Sequence, residues 1–212
     1  MINLININLA RDMKRLLIAT TNPGKLSELQ DLLPGFPLVL PGDLGLTLEV
    51  AETGSTYHEN AALKARAYCL ASGLPTLADD SGLEVEALGG APGLHSARYS
   101  PLPGASDADR RALLLANLSG RPHPWRACFR AVVAVAVPQG SEPTLHFFEG
   151  RCPGRIIPAE RGSNGFGYDP IFLLEELGLT MAELSRPQKN TLSHRARAVQ
   201  AALGLLRGYF NH

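Results

Sequence analysis

Two adjacent carboxylates are the first residues in this chain that could do chemistry. Asp79 and Asp80 follow an apolar run in the stretch LPTLADDSGLEVEALGG, and Ser81 and Gly82 come next, which predicts a turn directly after the pair. Neighbouring residues of a strand point to opposite faces, so only one carboxylate could enter a given site. The C-terminal end of a strand is where α/β sheets bind ligands, and carboxylates suit Mg²⁺. Glu52 ends another strand-like run and could complete a metal pair, whereas an ordinary Asx turn is the alternative.

The stretch ATTNPGKLSEL runs from a predicted strand into a predicted helix. Free N–H groups at a helix start attract anions, and Thr20, Thr21, Asn22 and Lys25 would add donors beside them. The stretch lacks the G-x-x-x-x-G-K-[ST] pattern of a P-loop. An ordinary helix start, capped by Thr21 or Asn22 with Pro23 in the first turn, is the alternative interpretation.

A third stretch, ERGSNGFGYDPIF, places glycines on both sides of Phe166. Glycines allow a backbone to come close to a ligand, and an aromatic ring between them can present its face to a planar group. The alternative is a hydrophobic plug that closes a loop over the core. This loop is therefore a candidate wall for a flat ligand.

A fourth stretch, QKNTLSHRARA, gathers cations around a predicted helix start. Ser193 is a typical N-cap, which puts His194 and Arg195 in the first turn, and Lys189 lies just upstream. Cations oppose the helix dipole there, by a few tenths of a kcal/mol up to ~1. The cluster makes sense if an electron-rich group such as a phosphate or a base carbonyl docks beside it, and a solvated basic edge is the alternative.

The elements that must position these residues alternate between strand-like and helix-like segments, without an internal repeat, which predicts an α/β fold. Thr56 and Glu59 have capping-box spacing, and Ser106 and Asp109 mark another helix start. The predicted elements are a strand over 15–20, helices over 24–33, 55–73 and 105–120, hairpin strands over 126–137 and 144–152, and a final helix over 193–210.

Composition limits the class of protein. The 212 residues are 45% hydrophobic, which suffices for one compact unit. Twenty basic residues balance twenty acidic ones without a Lys/Arg block, so we expect no nucleic-acid polymer as partner, while a small anion stays possible. The widely spaced Cys69, Cys128 and Cys152 fit buried free thiols in a reducing compartment.

The first residues carry no targeting signal that we recognise. No apolar run approaches the ~18 residues that span a bilayer, and the start lacks the pattern of a signal peptide, so we expect a cytoplasmic protein without a membrane partner. Residues 1–14 are interpreted as a leader outside the working chain, since Met13 is an alternative start.

Taken together, five motifs resemble the inosine triphosphate pyrophosphatases, also called XTP/dITP diphosphatases. They are TTNPGK, AETGSTYHENAALKA, ADDSGLEVEALGGAPGLHSARY, GFGYDPIF and ELSRPQKNTLSHRARA. The resemblance covers a single catalytic domain over 15–212. It implies an elongated α/β fold with a mixed sheet flanked by helices, a substrate cleft between two lobes, Mg²⁺ as cofactor and a homodimer. The implied reaction is hydrolysis of ITP, dITP or XTP to a nucleoside monophosphate and pyrophosphate.

The same resemblance implies roles for individual residues on the phosphate side. Thr20, Asn22 and Lys25 would bind the triphosphate, with Thr21 standing where many relatives have glycine. Glu52 and Asp80 would hold the metal. Asp80 would also accept a proton from the attacking water, while the neighbouring Asp79 either supports the turn or assists as a further acid.

On the base side, the resemblance implies that Phe166 stacks on the purine. Ser81 is implied to contact substrate beside Asp80. Pro187 and Gln188 replace a more acidic pair of the family. The other residues implied to contact the base are Gly167, Tyr168, Asp169, Lys189, His194 and Arg195.

Other functions stay open beside this interpretation. A regulator that binds nucleotides without catalysis would bind ITP but release no pyrophosphate. A protein with a purely structural or protein-interaction role would not bind ITP at all. A pyrophosphatase for modified pyrimidine nucleotides is a further alternative, and it gains no support from the SHR cluster.

Overall fold

The computed structural model describes residues 15–210, so the predicted leader over 1–14 and the alternative start at Met13 lie outside the described residues. Within them, the strands form one mixed sheet in the order β2-β1-β3-β4-β5-β6-β7. The strands are β1 Leu16–Ile18, β2 Leu38–Val39, β3 Thr76–Val85, β4 Trp125–Val137, β5 Thr144–Ile156, β6 Phe172–Leu174 and β7 Leu179–Thr180.

The type of strand pairing changes once across this sheet, from parallel to antiparallel at β3. β1 runs parallel to both β2 and β3, and every later pair is antiparallel. The long hairpin of β4 and β5 was expected from two apolar runs separated by PQGSEP, and it is confirmed. The mixed sheet flanked by helices is confirmed as well.

Five α-helices between residues 15 and 210 cover the sheet, and several begin at the caps that the sequence predicts. Asn22 accepts a hydrogen bond from the Lys25 N–H, and Ser106 forms a capping box with Asp109. Thr56 caps its helix alone, because the Glu59 side chain turns to Ser55. The helices are α1 Pro23–Leu32, α2 Tyr57–Ser72, α3 Asp107–Leu118, α4 Arg186–Leu192 and α5 His194–Phe210.

The core has separate apolar clusters on the two faces of the sheet and at one end of the hairpin. α1 and α5 pack on the face that carries Val133, and α2 packs on the face that carries Val132. The third cluster joins α3 to the start of β4 and to β6, through Leu114, Trp125 and Phe172.

Two local expectations were wrong. The chain does not turn after Asp80, because β3 continues to Val85. Glycine is needed at position 82 for packing and not for a turn. A Cβ there would lie 2.2 Å from the Gly93 carbonyl oxygen, so glycine permits a close backbone approach. The residues before Glu52 form no strand, and Glu52 lies in a loop.

The three cysteines agree with the expectation of free thiols, although only two of them are buried. Cys69 and Cys152 are buried and Cys128 is partly exposed, and all three are free thiols. None of the helices between residues 15 and 210 is both long and apolar enough to cross a membrane.

Candidate active site

A cleft lies where α1, α5, β3 and the glycine-rich loop before β6 approach one another. It encloses about 610 Å³ of empty space, counting its open mouth. Its walls bring together most of the residues singled out from the sequence, namely Asn22, Lys25, Ser81, Phe166, Gly167, Tyr168, Asp169, Lys189, His194 and Arg195.

Four singled-out residues lie outside the walls of this cleft. Thr20 and Thr21 form the turn before α1, where Thr20 Oγ1 accepts a hydrogen bond from the Asn22 N–H at 3.2 Å. Glu52 and Asp80 lie on the α2 side of the sheet instead. The site is therefore divided between the two faces of β3.

The register of β3 explains this division. Asp79 lies opposite Val133 and Asp80 lies opposite Val132, and these valines belong to the clusters on opposite faces of the sheet. Ser81 shares the face of Asp79, not that of Asp80, and it accepts a hydrogen bond from Arg195 Nη2 at 3.0 Å. Alternation along the strand thus separates the two aspartates.

Asp79 is a fully buried carboxylate held between two cations. Arg195 Nε donates to Asp79 Oδ2 at 3.0 Å, and Lys25 Nζ lies 2.8 Å from Oδ1 as an ion pair without hydrogen-bond geometry. Burial alone would raise the pKa of Asp79, but the charges of Arg195 and Lys25 outweigh it and hold the pKa well below its usual range. Asp79 is therefore permanently ionised at neutral pH.

Glu28 extends this arrangement towards α4. Its carboxylate accepts from Arg195 Nη1 and lies 2.6 Å from Lys189 Nζ, which also donates to Asp169 at 2.5 Å. The negative charges of Asp169 and Glu28 raise the pKa of Lys189 in spite of its burial. We call this charge-balanced set the Asp79 network; its members are Lys25, Glu28, Asp79, Asp169, Lys189 and Arg195.

Sequence reasoning missed Glu28. It lies in α1 one turn after Lys25 and one turn before Leu32, which is also buried, and a carboxylate at that helical spacing is a detectable sign of a buried charge. The cations that neutralise it come from α4 and α5, so the sequence near Glu28 does not reveal them.

A second group of polar residues surrounds Asp80, and we call it the Asp80 cluster: Glu52, Asn60, Lys64 and Asp80. Lys64 Nζ lies 2.6 Å from Glu52 Oε1, 2.8 Å from the Asp79 carbonyl oxygen and 3.5 Å from Asp80 Oδ1. Asn60 Nδ2 donates to Asp80 Oδ2 at 3.3 Å. Burial raises the pKa of Asp80, although the charge of Lys64 opposes this shift. Asp80 is thus the more basic of the two aspartates.

Lys64 and Asn60 were also missed by sequence reasoning. They stand four residues apart in α2, on the same side as the buried Ala61 and Ala65. A polar pair with helical spacing among buried alanines is the signal that could have found them.

The glycine-rich loop forms the aromatic wall of the cleft. The Phe166 ring lies against Gly24, where a Cβ would come within 2.7 Å of the ring, and Lys189 Nζ lies 5.1 Å from the ring centroid. The Tyr168 hydroxyl donates to the Ser96 carbonyl at 3.0 Å, and the Asp169 carboxylate accepts from the Phe166 N–H. These contacts fix the loop, while the half-buried Phe166 ring lines the cleft.

His194 supplies a neutral polar atom to the same cleft. Its ring stacks on Phe129 with centroids 4.7 Å apart. Burial and the nearby charge of Arg195 lower the pKa of His194 well below its usual value. No group among residues 15–210 hydrogen-bonds its Nδ1 atom, although that atom is buried. A buried polar atom that lacks a partner is a candidate contact for a ligand.

The described residues contain oxygen donors that converge on one cation. No group of three or more His, Cys, Asp or Glu side chains in residues 15–210 is placed to hold a metal ion. The oxygens of Glu52, Asp79 and Asp80 do converge on the Lys64 ammonium, which makes that position one that accepts a cation. Oxygen donors of this kind are the ligands that hard cations prefer.

The comparisons with known proteins agree with this architecture. A chain from Porphyromonas gingivalis named dITP/XTP pyrophosphatase is 48% identical over 88% of this chain and 94% of its own length. A second chain of that name, from Symbiobacterium thermophilum, is 47% identical over 90% of this chain and 93% of its own length. The solved structure of the Staphylococcus aureus Ham1 protein superposes with a TM-score of 0.81 at 39% identity, covering 92% of this chain and all of that one. The profile of the Ham1 family matches residues 16–204. The chain therefore belongs to the Ham1 family.

Proposed function

We propose that this protein hydrolyses nucleoside triphosphates that carry a 6-oxo purine, such as ITP, dITP and XTP, to the monophosphate and pyrophosphate. The names of the P. gingivalis and S. thermophilum relatives support this proposal. The structural observation that carries it is a single cleft that joins the donor-rich start of α1 to an aromatic wall and a neutral histidine.

The triphosphate would bind at the start of α1. Thr20, Thr21 and Asn22 offer hydroxyl and amide donors there, beside the positive end of the helix dipole. Lys25 is suited to contact a phosphate oxygen, since it is partly exposed and an ion pair without hydrogen-bond geometry links it to Asp79.

The base would stack on Phe166, with Gly167, Tyr168 and Asp169 as the rest of that wall. Lys189 uses two of the three ammonium donors for Glu28 and Asp169, so one donor stays free for a 6-oxo group. The Nδ1 atom of His194, in the same cleft, is buried without a hydrogen-bond partner among residues 15–210.

Arg195 would act differently from Lys189. Its Nε, Nη1 and Nη2 atoms donate to Asp79, Glu28 and Ser81, and the side chain is buried. We propose that Arg195 and Ser81 hold the floor of the cleft and reach the base with the donors that stay free.

Glu52 and Asp80 fit Mg²⁺ by the chemistry of their oxygen donors. Mg²⁺ is usually held by one or two carboxylates together with substrate phosphates, which agrees with a carboxylate pair instead of an all-protein cage. When bound, the ion would neutralise triphosphate charge and polarise the α-phosphorus. Lys64 holds the two carboxylates together on the protein side.

Asp80 would accept a proton from the water that attacks the α-phosphorus. The new bond joins the water oxygen to that phosphorus, the bond to the bridging oxygen breaks, and pyrophosphate leaves. Burial raises the pKa of Asp80, which makes it a better proton acceptor than an exposed carboxylate. Positioning and electrostatics suffice for this step, so a covalent nucleophile is not needed.

We also propose a cytoplasmic homodimer. The family resemblance of the sequence motifs supports the dimer, and the three free thiols fit a reducing compartment.

The test is a panel of ITP, dITP, XTP, GTP and ATP, assayed for pyrophosphate release with and without Mg²⁺. We expect fast release from ITP, dITP and XTP, slow release from ATP, and dependence on Mg²⁺. Absence of pyrophosphate release from every 6-oxo purine nucleotide would overturn the proposal.

The base-reading role of Lys189 predicts a change in selectivity. Donors left unpaired by the 6-amino group of adenine cost about 1–3 kcal/mol each. One unpaired donor on Lys189 and one on Arg195 would together give roughly two to four orders of magnitude of discrimination against ATP. Lys189→Ala should therefore lower kcat/KM for ITP much more than for ATP. Partial unfolding would lower both values by one factor, so an unchanged ratio contradicts the role.

A further inference from the structure

The backbone of the glycine-rich loop is held at one residue by helix α3. The Gly167 N–H donates to Asp107 Oδ2 at 2.7 Å, and the Gly167 carbonyl accepts from Arg111 Nη1 at 2.8 Å. Gly167 has φ +63°, so it adopts a conformation that other residues rarely take. The backbone N–H and the backbone carbonyl of this residue are thus both bound by side chains of one helix.

The side chains that hold Gly167 are themselves fixed. Arg111 forms two hydrogen bonds with Glu160, from Nε at 2.7 Å and from Nη2 at 3.0 Å. Asp107 accepts from Arg110, whose Nη1 also donates to the Ala105 carbonyl at 2.7 Å. We call the set of Asp107, Arg111 and Glu160 the Gly167 clamp. The Arg111 side chain is only 12% exposed, although it is not part of the apolar core.

The clamp lies on one side of Phe166, and a second anchor lies on the other. Asn164 donates from its backbone N–H to the Ala182 carbonyl and from its side chain to the Leu184 carbonyl, each at 3.0 Å. Phe166 is therefore placed between two fixed points of the loop. Because Gly167 follows Phe166 directly, a shift of Gly167 would move the aromatic ring.

We propose that Arg111 is a positioning residue that sets the affinity for the base by holding the Gly167 carbonyl, and thereby the Phe166 ring, in place. This inference rests on the proposed function, in which Phe166 stacks on the purine. Arg111 has no direct link to the Asp80 cluster through these contacts, since none of them reaches Glu52, Lys64 or Asp80. Loss of Arg111 should therefore weaken binding of the base and leave hydrolysis of bound substrate unchanged.

The test is Arg111→Ala, compared with Arg66→Ala as a matched control. Arg66 also forms two hydrogen bonds with one glutamate, Glu142, but it lies in α2 outside the cleft. We expect Arg111→Ala to raise KM for ITP about 3- to 10-fold, the equivalent of one lost hydrogen bond, with kcat unchanged. Arg66→Ala should change neither constant.

Two further measurements separate positioning from general damage. Inorganic tripolyphosphate carries no base, so its inhibition constant should be the same in wild type and Arg111→Ala. Arg111→Lys, which can restore one donor to the carbonyl, should recover part of the KM for ITP. An unchanged KM in Arg111→Ala would overturn the inference, as would an equal weakening of ITP and tripolyphosphate.

Failure of the proposed function would be visible separately. Wild-type protein that hydrolyses no nucleoside triphosphate would contradict that function, whereas the dissociation constant of ITP, measured by calorimetry without Mg²⁺, still tests the clamp. Equal dissociation constants for wild type and Arg111→Ala would overturn the clamp alone.

Discussion

The Asp79 network and the Asp80 cluster contain adjacent aspartates, but the pKa values of these two aspartates are shifted in opposite directions. Asp79 is enclosed by cations, and the network around it balances its charges, with each buried carboxylate contacting at least one cation. In the Asp80 cluster, Glu52 is 31% exposed and contacts both Lys64 and Arg98, whereas Lys64 is the cation that contacts Asp80. The pKa of Asp79 is lowered, whereas burial raises that of Asp80.

The contrast between Asp79 and Asp80 shows that burial alone does not decide the role of a carboxylate. Both aspartates are buried, but Asp79 directly contacts two cations, while Asp80 directly contacts one cation at 3.5 Å and an amide. A paired, permanently charged group is suited to hold elements together, and a more basic one is suited to move a proton. Adjacent positions on a strand can therefore serve structure and chemistry separately.

The largest expected effect concerns the rate in Asp80→Asn. The change removes the proton acceptor and one metal-binding charge but almost no volume, so kcat should fall by about 10²- to 10⁴-fold. The melting temperature should be preserved, because the carboxylate that is lost is one whose ionised form burial disfavours. Steady-state kinetics with saturating Mg²⁺ and thermal melting check both points, and near wild-type kcat would remove Asp80 from the chemistry.

The matched change in the other region, Asp79→Asn, should act on stability. It leaves the buried Arg195 and the partly exposed Lys25 without their shared anion, so the free energy of unfolding should fall by about 3–5 kcal/mol. Urea denaturation measures this value. A variant as stable as wild type would show that the Asp79 network contributes little to the fold, and the contrast between the two aspartates would lose one side.

A smaller effect should appear in the pH profile of Lys64→Met. Activity requires ionised Asp80, so the acid limb of kcat/KM reports its pKa in the free enzyme. The charge of Lys64 lowers that pKa, and its removal should therefore move the acid limb to higher pH. Lys64→Arg keeps the charge and should leave the limb in place. A limb that stays put or moves to lower pH in Lys64→Met contradicts this electrostatic role.

The helices and the hairpin could be predicted because their signals are local. Ser106 with Asp109, Asn22 before Pro23, and the apolar spacing in α1 all lie within a few residues of the structure that they specify. The same holds for Ser193, which caps α5 by accepting from the Ala196 N–H.

The rest depends on contacts between distant parts of the chain. Gly82 was interpreted as part of a turn, but its cause is the carbonyl of Gly93 on a neighbouring segment. Lys64 joins Glu52 to β3 only once α2 packs on the sheet. Ser81 was expected beside Asp80, yet strand alternation places it with Asp79. Local sequence therefore identified many of the residues that line the cleft but not their partners.

In the proposed reaction, water attacks the α-phosphorus of a 6-oxo purine nucleoside triphosphate on the Asp80 side of the sheet. The most direct measurement is a single turnover of ITP in ¹⁸O-labelled water, with the products separated and weighed by mass spectrometry. We predict that the label appears in inosine monophosphate and that the pyrophosphate is unlabelled. Label in the pyrophosphate, or release of inorganic phosphate in its place, would contradict the account.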